Sequence, residues 1–310
     1  MSPFSLRPVP PFNFSRTAAI FSGGDPQIRA FREGVFRQVL TVDHIPALAD
    51  VRSMGTAERP LVSVDIRSEK PLSQKQKKTL LATVSLVFSL ADDLAPFYRA
   101  VAEDPVLADL TVQLRGVKAP VTPTVFEALT DSVIEQQISL KAARSIENRL
   151  IRATGPHLVL NGEVYYGYPE PSVLARTEDS TYRACGLTIR KGEYIRDVSL
   201  RIMQGDLDVE AYHSCPDTES VMQEMMKLRG IGRWTAEMTI LRGLHRPDAF
   251  PADDVGIRRL ISKFYPGKRR ISSADARSFA ERWGAWKGFA AYYLEVADIL
   301  GIQPGTGIPR

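Results

Sequence analysis

Residues 221–260 constrain the fold of this chain more than any other stretch. Apolar residues recur on one helical face as far as Leu228. Two glycines in three residues, Gly230 and Gly232, then interrupt the helical period, and glycine suits a turn whose backbone needs a positive φ. The period resumes directly afterwards and ends near Gly243. The sequence therefore predicts a hairpin of two helices near residues 221–244.

The predicted hairpin turn favours binding to a phosphate group. Glycines let the backbone approach a ligand closely, and the helix that follows directs free N–H groups and its positive dipole end outward. Residues 221–310 carry 15 Lys+Arg and 9 Asp+Glu, so the basic excess of the chain lies on this segment. A nucleic-acid phosphate is a natural ligand for such a site. Ile231, between the glycines, is expected to pack inward.

The order of the motifs resembles one known family. The segment Leu228-Arg-Gly-Ile-Gly-Arg-Trp-Thr-Ala is followed by Asp254, and matching segments lie around Gln136-Gln137 and over residues 280–294. This set, spread over residues 115–300, resembles the helix-hairpin-helix DNA glycosylases, in particular the alkylation-repair branch of the 3-methyladenine DNA glycosylase II type. The resemblance implies an enzyme that binds double-stranded DNA, rotates a damaged base out of the helix and excises it.

The predicted fold class is α+β. Residues 35–42 and 61–67 are typical of strands, and a helix is predicted after Ser73. We therefore expect residues 1–114 to form an N-terminal domain with a small antiparallel sheet and a helix. Strand signals nearly vanish afterwards, so residues 115–310 are expected to be all-helical, with two helical subdomains.

Asp254 is the predicted catalytic residue. A carboxylate at a helix N-terminus is held ionised, and it stabilises the oxocarbenium-like state that forms when a base leaves deoxyribose. Asp residues at such positions are more often ordinary helix caps. We therefore assign the cap to Asp253 and the active site to Asp254, the position that the resemblance implies. Trp234 occupies the place where bifunctional members carry a lysine nucleophile, which predicts a monofunctional enzyme.

An aromatic slot is expected to hold the excised base. Alkylated purines such as 3-methyladenine and 7-methylguanine carry positive charge and are attracted to aromatic rings. The candidates are Trp234, Trp286, Phe289 and Tyr292, with Phe12, Phe14 and Phe21 closing the slot from the first domain. Glu295 and Val255 stand where the resemblance implies aromatic residues.

Two groups of residues are expected to contact DNA. Gln137, with Gln136 beside it, is the candidate for the side chain that fills the gap left by the extruded base; a polar pair that caps the next helix is the alternative. The hairpin candidates are Arg229, Gly230, Ile231, Gly232, Arg233 and Thr235. The resemblance also implies a structural monovalent cation on the hairpin carbonyl groups, and otherwise no metal or cofactor.

Composition argues against an iron–sulfur protein, a secreted protein and a membrane protein. The two cysteines, Cys185 and Cys215, are too few for a four-cysteine iron–sulfur cluster. The N-terminus has no apolar signal core, and the apolar run over residues 80–91 is too short to cross a bilayer. We expect a monomer in the cytoplasm, associated with the nucleoid, or in the nucleus of a eukaryote.

Three alternative functions are less consistent with the sequence than this prediction. A dinucleotide-binding enzyme is disfavoured because Thr235 replaces the third glycine of its motif, and because the preceding segment has a helical period. A non-catalytic DNA-binding protein would not need Asp254. A bifunctional glycosylase/lyase for oxidised guanine would need the missing lysine.

Overall fold

The computed structural model describes residues 3–265, 267 and 270–305. Its N-terminal part is an antiparallel sheet of order β1-β5-β4-β3-β2. The strands are β1 (Phe4–Leu6), β2 (Arg29–Arg32), β3 (Val35–Val42), β4 (Ile45–Ser53) and β5 (Val62–Arg67). The prediction for residues 35–42 is confirmed to the residue, and that for 61–67 to within one. Helices α1 (Phe14–Phe21) and α2 (Gln74–Val87) pack on one face of the sheet.

Helices dominate the rest of the described chain. They are α3 (Ala95–Ala100), α4 (Pro105–Gln113), α5 (Val125–Glu135), α6 (Leu140–Thr154), α7 (Pro171–Leu174), α8 (Asp179–Cys185), α9 (Ile189–Gln204), α10 (Thr218–Met226), α11 (Arg233–Gly243), α12 (Val255–Phe264), α13 (Ser273–Ala280) and α14 (Lys287–Leu300), with 3₁₀ helices at Glu210–Ser214 and Glu281–Trp286. The α+β class is thus confirmed. None of the helices in the described ranges is both long enough and apolar enough to span a membrane.

The second region is not all-helical, because a β-hairpin interrupts it. Strands β6 (His157–Leu160) and β7 (Glu163–Tyr166) pair antiparallel around Asn161 and Gly162, which both have positive φ. An Asn-Gly pair between two short strands is a hairpin signal that the helical reading of this region overlooked. Leu158 and Tyr165 of the hairpin pack against Val39 and Leu48, on the sheet face opposite to α1 and α2.

The apolar cores show how the elements are grouped. One core joins the main sheet to α1 and α2, and a second joins α5 to α11. A third joins α3 and α4 to α12, α13 and α14, so residues 94–117 pack with the C-terminal helices. The predicted boundary at residue 114 does not coincide with this grouping, since the core of the N-terminal sheet already ends at Leu90. The sequence pattern does not indicate which core α3 and α4 join, because that depends on packing against helices more than 130 residues later in the chain.

A buried cluster of charges links the N-terminal sheet to the helical region. Arg29 of β2 lies 3.6 Å from Glu127 of α5 and 3.5 Å from Glu147 of α6. The Tyr168 hydroxyl donates a hydrogen bond to Asp131 at 2.7 Å. Burial raises the pKa of Glu127 to about 8, although Arg29 acts in the opposite direction, and it raises the pKa of Asp131 as well. One guanidinium group thus holds two carboxyl groups of neighbouring helices.

The variant Glu127→Gln tests this cluster. A carboxyl group with a raised pKa binds more protons in the folded state than in the unfolded state. Its contribution to the free energy of unfolding is therefore complete below its ordinary pKa of 4.5 and is lost as the pH rises through about 8. We expect wild-type stability to fall over this range, and the variant to lose about 1–3 kcal/mol less between pH 5 and 8.

Urea unfolding at a series of pH values measures this difference. Glu103→Gln, which changes an exposed glutamate, is the matched control and should reproduce the wild-type pH dependence. Equal pH dependence in wild type and Glu127→Gln would contradict the assignment.

Candidate active site

The predicted hairpin is present, and its two glycines have different roles. Gly230 has φ +82°, and a Cβ atom there would lie 2.2 Å from the ring of Tyr194 on α9. Gly232 precedes α11 with φ −90°, and a Cβ atom there would meet no described atom within 4 Å. A positive φ is thus needed at Gly230 alone. Gly232 leaves open space beside the first N–H groups of α11, where a phosphate can approach.

The other hairpin residues named from the sequence point in several directions. Ile231 is buried in the second core, as expected, and Thr235 is also buried. Arg229 donates to Glu193 at 2.8 Å, and Arg233 donates to Glu237 at 3.0 Å. Both arginines therefore already have carboxylate partners. The N–H groups of the turn are consequently the hairpin groups best suited to contact a phosphate.

Asp254 accepts hydrogen bonds from two helices. Its Oδ1 accepts from the backbone N–H of Ile257 at 3.0 Å, and its Oδ2 accepts from Trp234 Nε1 at 2.9 Å. Asp254 is thus itself the N-cap of α12, and the assignment of the cap to Asp253 is wrong. The reason is that α12 starts at Val255, one residue later than expected, which leaves Asp253 exposed in the preceding turn.

The loop before Asp254 is held by a buried carboxylate. Glu237 of α11 is buried and accepts a hydrogen bond from Arg277 of α13 at 2.8 Å. The same guanidinium nitrogen donates to the Phe250 carbonyl at 3.2 Å. Burial raises the pKa of Glu237, and the two arginines beside it oppose this shift. Arg277 therefore ties the hairpin helix to the loop that precedes Asp254.

A cleft of about 980 Å³ lies in front of Asp254. Its walls come from the turn between α5 and α6, the hairpin, the start of α12 and the last turns of α14. The lining residues that bear on its chemistry are Glu135, Gln136, Gln137, Tyr194, Gly230, Gly232, Trp234, Met238, Arg242, Asp253, Asp254, Arg259, Glu295 and Asp298. The cleft thus joins the carboxylate, the hairpin and the glutamine pair that the sequence identified separately.

Most of the predicted aromatic slot lies elsewhere. Trp234 lines the cleft. Trp286 packs on Phe97, with ring centroids 5.8 Å apart, and Phe289 is buried in the third core. The Tyr292 hydroxyl donates to the Lys118 carbonyl at 3.3 Å. The reason is the rotation of α14, which turns Glu295, Asp298 and Ile299 towards the cleft and its aromatic residues towards the core.

The N-terminal aromatic residues do not close the cleft either. Phe21 stacks on Phe36, with ring centroids 5.8 Å apart. Phe12 and Phe14 are buried in the core of the N-terminal sheet. These rings therefore stabilise the first domain, and their spacing in the sequence did not distinguish this role from a place in the base slot.

Several cleft residues were missed by the sequence analysis. Met238 and Arg242 follow Trp234 at intervals of four residues, so the helical period could have placed them on the same face. Arg242 Nη1 donates to both carboxylate oxygens of Glu135 at 2.7 Å. Burial lowers the pKa of Arg242, but Glu135, Glu295 and Asp131 together more than offset this, and the net shift is upward. Tyr194 belongs to a distant helix, and no local signal marks it.

The two glutamines differ in their surroundings. Gln136 ends α5, and its side-chain amide donates to the Gly230 carbonyl at 2.9 Å and to Thr235 Oγ1 at 3.0 Å. Lys191 Nζ donates to the Gln136 carbonyl at 2.7 Å. Gln137 is exposed and has φ +58°. Gln136 thus fixes the turn to the hairpin, and Gln137 is the one that projects towards solvent.

Comparison with known proteins agrees with this geometry. A model of the HhH-GPD superfamily of base excision DNA repair proteins matches residues 130–285, half of the chain. The chain belongs to this superfamily. It is a DNA glycosylase of the HhH-GPD type, and its relatives support the alkylation-repair branch that its sequence resembles.

Three relatives illustrate the range of the family. DNA-3-methyladenine glycosylase of Bacillus subtilis is 27% identical over 84% of this chain and 85% of its own length. The structure of the 3-methyladenine DNA-glycosylase from Archaeoglobus fulgidus has a TM-score of 0.84 at 24% identity and covers 96% of this chain and 98% of its own. The 8-oxoguanine glycosylase/lyase of Clostridium acetobutylicum, in complex with DNA, has a TM-score of 0.76 at 21% identity, with 97% of each chain covered. The two structures show that the fold is shared.

Alanine at each hairpin glycine should have a different effect. Gly230→Ala places a side chain at positive φ and against the Tyr194 ring, so we expect a loss of about 1–3 kcal/mol of stability. Gly232→Ala meets no atom of the free protein and should leave stability nearly unchanged, but its methyl group should obstruct a phosphate. Thermal unfolding and DNA binding by fluorescence anisotropy measure both effects. Unchanged DNA affinity in Gly232→Ala would contradict the proposed phosphate contact.

Proposed function

We propose that this protein is a monofunctional DNA glycosylase that excises alkylated purines, of the 3-methyladenine and 7-methylguanine type, from double-stranded DNA by hydrolysis. The observation that carries the proposal is the position of Asp254 in the cleft, where Trp234 and the N-terminus of α12 fix its carboxylate. The family supports glycosylase activity, and the cleft chemistry supports the choice of base and of mechanism.

Asp254 is the group that we propose to act on the sugar. Each of its oxygens accepts one hydrogen bond from the protein and retains a further lone pair for a ligand. As the bond between the base and the sugar breaks, positive charge develops on the deoxyribose ring, and a fixed carboxylate stabilises it. The same oxygens can orient the water that attacks the anomeric carbon. The products are the free base and an abasic site.

The charge of the cleft favours a cationic base. Its described lining carries five carboxylates, namely Glu135, Asp253, Asp254, Glu295 and Asp298, and two guanidinium groups. Glu135 neutralises Arg242, and Asp298 neutralises Arg259 at 2.6 Å. The cleft therefore retains a negative balance, and an alkylated purine with a positive charge gains attraction that a neutral base does not. The ring of Trp234 offers a further contact to a cation.

A bifunctional glycosylase/lyase is the main alternative, since two structures of similar fold and one sequence relative are named as lyases. Lyase chemistry of this kind needs a lysine amine that attacks the sugar. Among the described residues that line the cleft there is no lysine, and the nitrogen of Trp234 is engaged by Asp254. Lys227, the nearest lysine in sequence, pairs with Glu224 on the exposed side of α10. These contacts favour hydrolysis.

Asp254→Asn is expected to reduce the excision of 7-methylguanine by about 10²-fold or more, because the variant removes the charge beside the sugar. DNA binding should survive, since the hairpin amides are unchanged. Single-turnover excision and anisotropy on the same duplex measure the two properties. Asp253→Asn is the matched control and should lose far less activity, because Asp253 is exposed and the hydrogen bonds to Trp234 and α12 belong to Asp254 alone. Excision at close to the wild-type rate by Asp254→Asn would refute the mechanism, and it would favour a role in binding alone.

Borohydride trapping separates hydrolysis from lyase chemistry. A lysine nucleophile forms an imine with the sugar, which borohydride reduces to a stable protein–DNA adduct. We expect no adduct during base excision by the wild type, and abasic DNA that stays intact until it is treated with alkali. Efficient adduct formation under turnover would assign the protein to the lyase class.

A further inference from the structure

The Glu295 side chain differs from the other partly buried acids at the cleft. Its carboxyl group lines the cleft but forms no hydrogen bond or ion pair with any residue that the structure describes. Asp254 accepts two hydrogen bonds, Glu135 holds Arg242, and Asp298 holds both Arg259 and Lys263 at 2.6 Å. Glu295 is therefore the partly buried acid of the cleft whose oxygens are free for a ligand.

None of the charged side chains near Glu295 forms an ion pair with its carboxyl group among the described residues. Arg242 of α11 is close enough to act on it, but both oxygens of Glu135 on α5 already bind this guanidinium group. Asp254 at the start of α12 repels a charge on Glu295, and Arg144 of α6 weakly attracts it. A partly buried carboxyl group without a partner costs free energy, and a ligand that supplies the partner recovers this cost.

We propose that Glu295 is a specificity-determining residue, whose free carboxylate contacts the extruded base and favours a positively charged base over a neutral one. This inference rests on the proposed function, because it assumes that the cleft holds the base. It goes further by naming the group that distinguishes cationic from neutral bases. Asp254 is fixed by Trp234 and α12 for the sugar, whereas Glu295 reaches the cleft from α14 on another wall.

The protonation of Glu295 gives this discrimination a pH dependence. Burial raises the pKa of Glu295, Arg242 opposes the shift, and Asp254 and Glu135 add to it. Below this raised pKa the group is a neutral acid, and above it the group is a carboxylate that attracts a cation. The preference for a cationic base should therefore increase as the pH rises through the titration of Glu295.

Glu295→Gln tests the proposal, because it retains the size and polarity of the side chain and removes its charge. The measurement is single-turnover excision of 7-methylguanine, which is cationic, and of hypoxanthine, which is neutral, from duplexes of the same sequence between pH 5 and 7. We expect the rate ratio of cationic to neutral base to fall about tenfold or more. The rate for 7-methylguanine relative to wild type should fall further as the pH rises.

Two further variants keep the test independent of folding. Glu295→Asp retains the carboxylate and should retain the preference for the cation, even if its overall rate is lower. Glu281→Gln removes an exposed charge from the neighbouring 3₁₀ helix and should behave as wild type. Thermal unfolding of all variants identifies any that fail to fold. If hypoxanthine is not excised at a measurable rate, the pH dependence of the 7-methylguanine rate decides the question.

The outcomes distinguish this inference from the proposed function. A wild-type protein that excises neither base overturns the proposed function and the inference together. A wild-type protein that excises 7-methylguanine, with a Glu295→Gln variant of unchanged base preference and pH profile, overturns the inference alone. A lowered ratio in Glu295→Gln that Glu295→Asp restores supports it.

Discussion

The arrangement of the cleft depends on the two hydrogen bonds that Asp254 accepts. One comes from the first turn of its own helix and the other from the indole of Trp234, on the helix that follows the hairpin turn. A single carboxylate thereby fixes the distance between the hairpin and α12. At the start of the same loop, Arg277 joins Glu237 to the Phe250 carbonyl. The loop is thus held at Phe250 and at Asp254, so the carboxylate keeps its place before any ligand arrives.

A row of three acids runs along α5 from the contact with the N-terminal sheet to the cleft. Glu127, Asp131 and Glu135 follow one another at intervals of four residues, which places them on one side of the helix. Glu127 meets Arg29 from the N-terminal sheet, Asp131 meets Tyr168, and Glu135 meets Arg242 at the cleft. A helix with this stripe cannot rotate without leaving buried polar groups unpaired. The N-terminal domain therefore helps to position the turn that carries the two glutamines.

The sequence predicted best the features that depend on local backbone chemistry. The turn at Gly230, the inward position of Ile231 and the strand over residues 35–42 follow from backbone preference and periodicity. Asp254 was also placed at the start of a helix, although the exact start was misjudged by one residue. That error exchanged the roles of Asp253 and Asp254 as caps, because a cap is defined by the first helical residue.

The predictions that were wrong concern contacts between segments that are distant in the sequence. The aromatic residues of α14 have a helical period, but a period does not say which face meets the core, and here Glu295 meets the cleft instead. Arg229 looked free for phosphate, yet its partner Glu193 lies on a separate helix. The partner of Arg233 is Glu237, four residues later on the same helix, and this pairing could have been predicted from the helical spacing. Tyr194 lies under Gly230 from a separate helix. Such pairings arise only when the tertiary structure is formed.

The small β-hairpin at residues 157–166 limits how this chain can be divided. Leu158 and Tyr165 cover the face of the main sheet that α1 and α2 leave open, and Val39 forms an isolated bridge with Gly167 directly after the hairpin. A truncation that separated this hairpin from the main sheet would expose apolar side chains of both to solvent. A fragment that contains only the helical region would therefore be prone to aggregation, although it would retain every residue of the cleft.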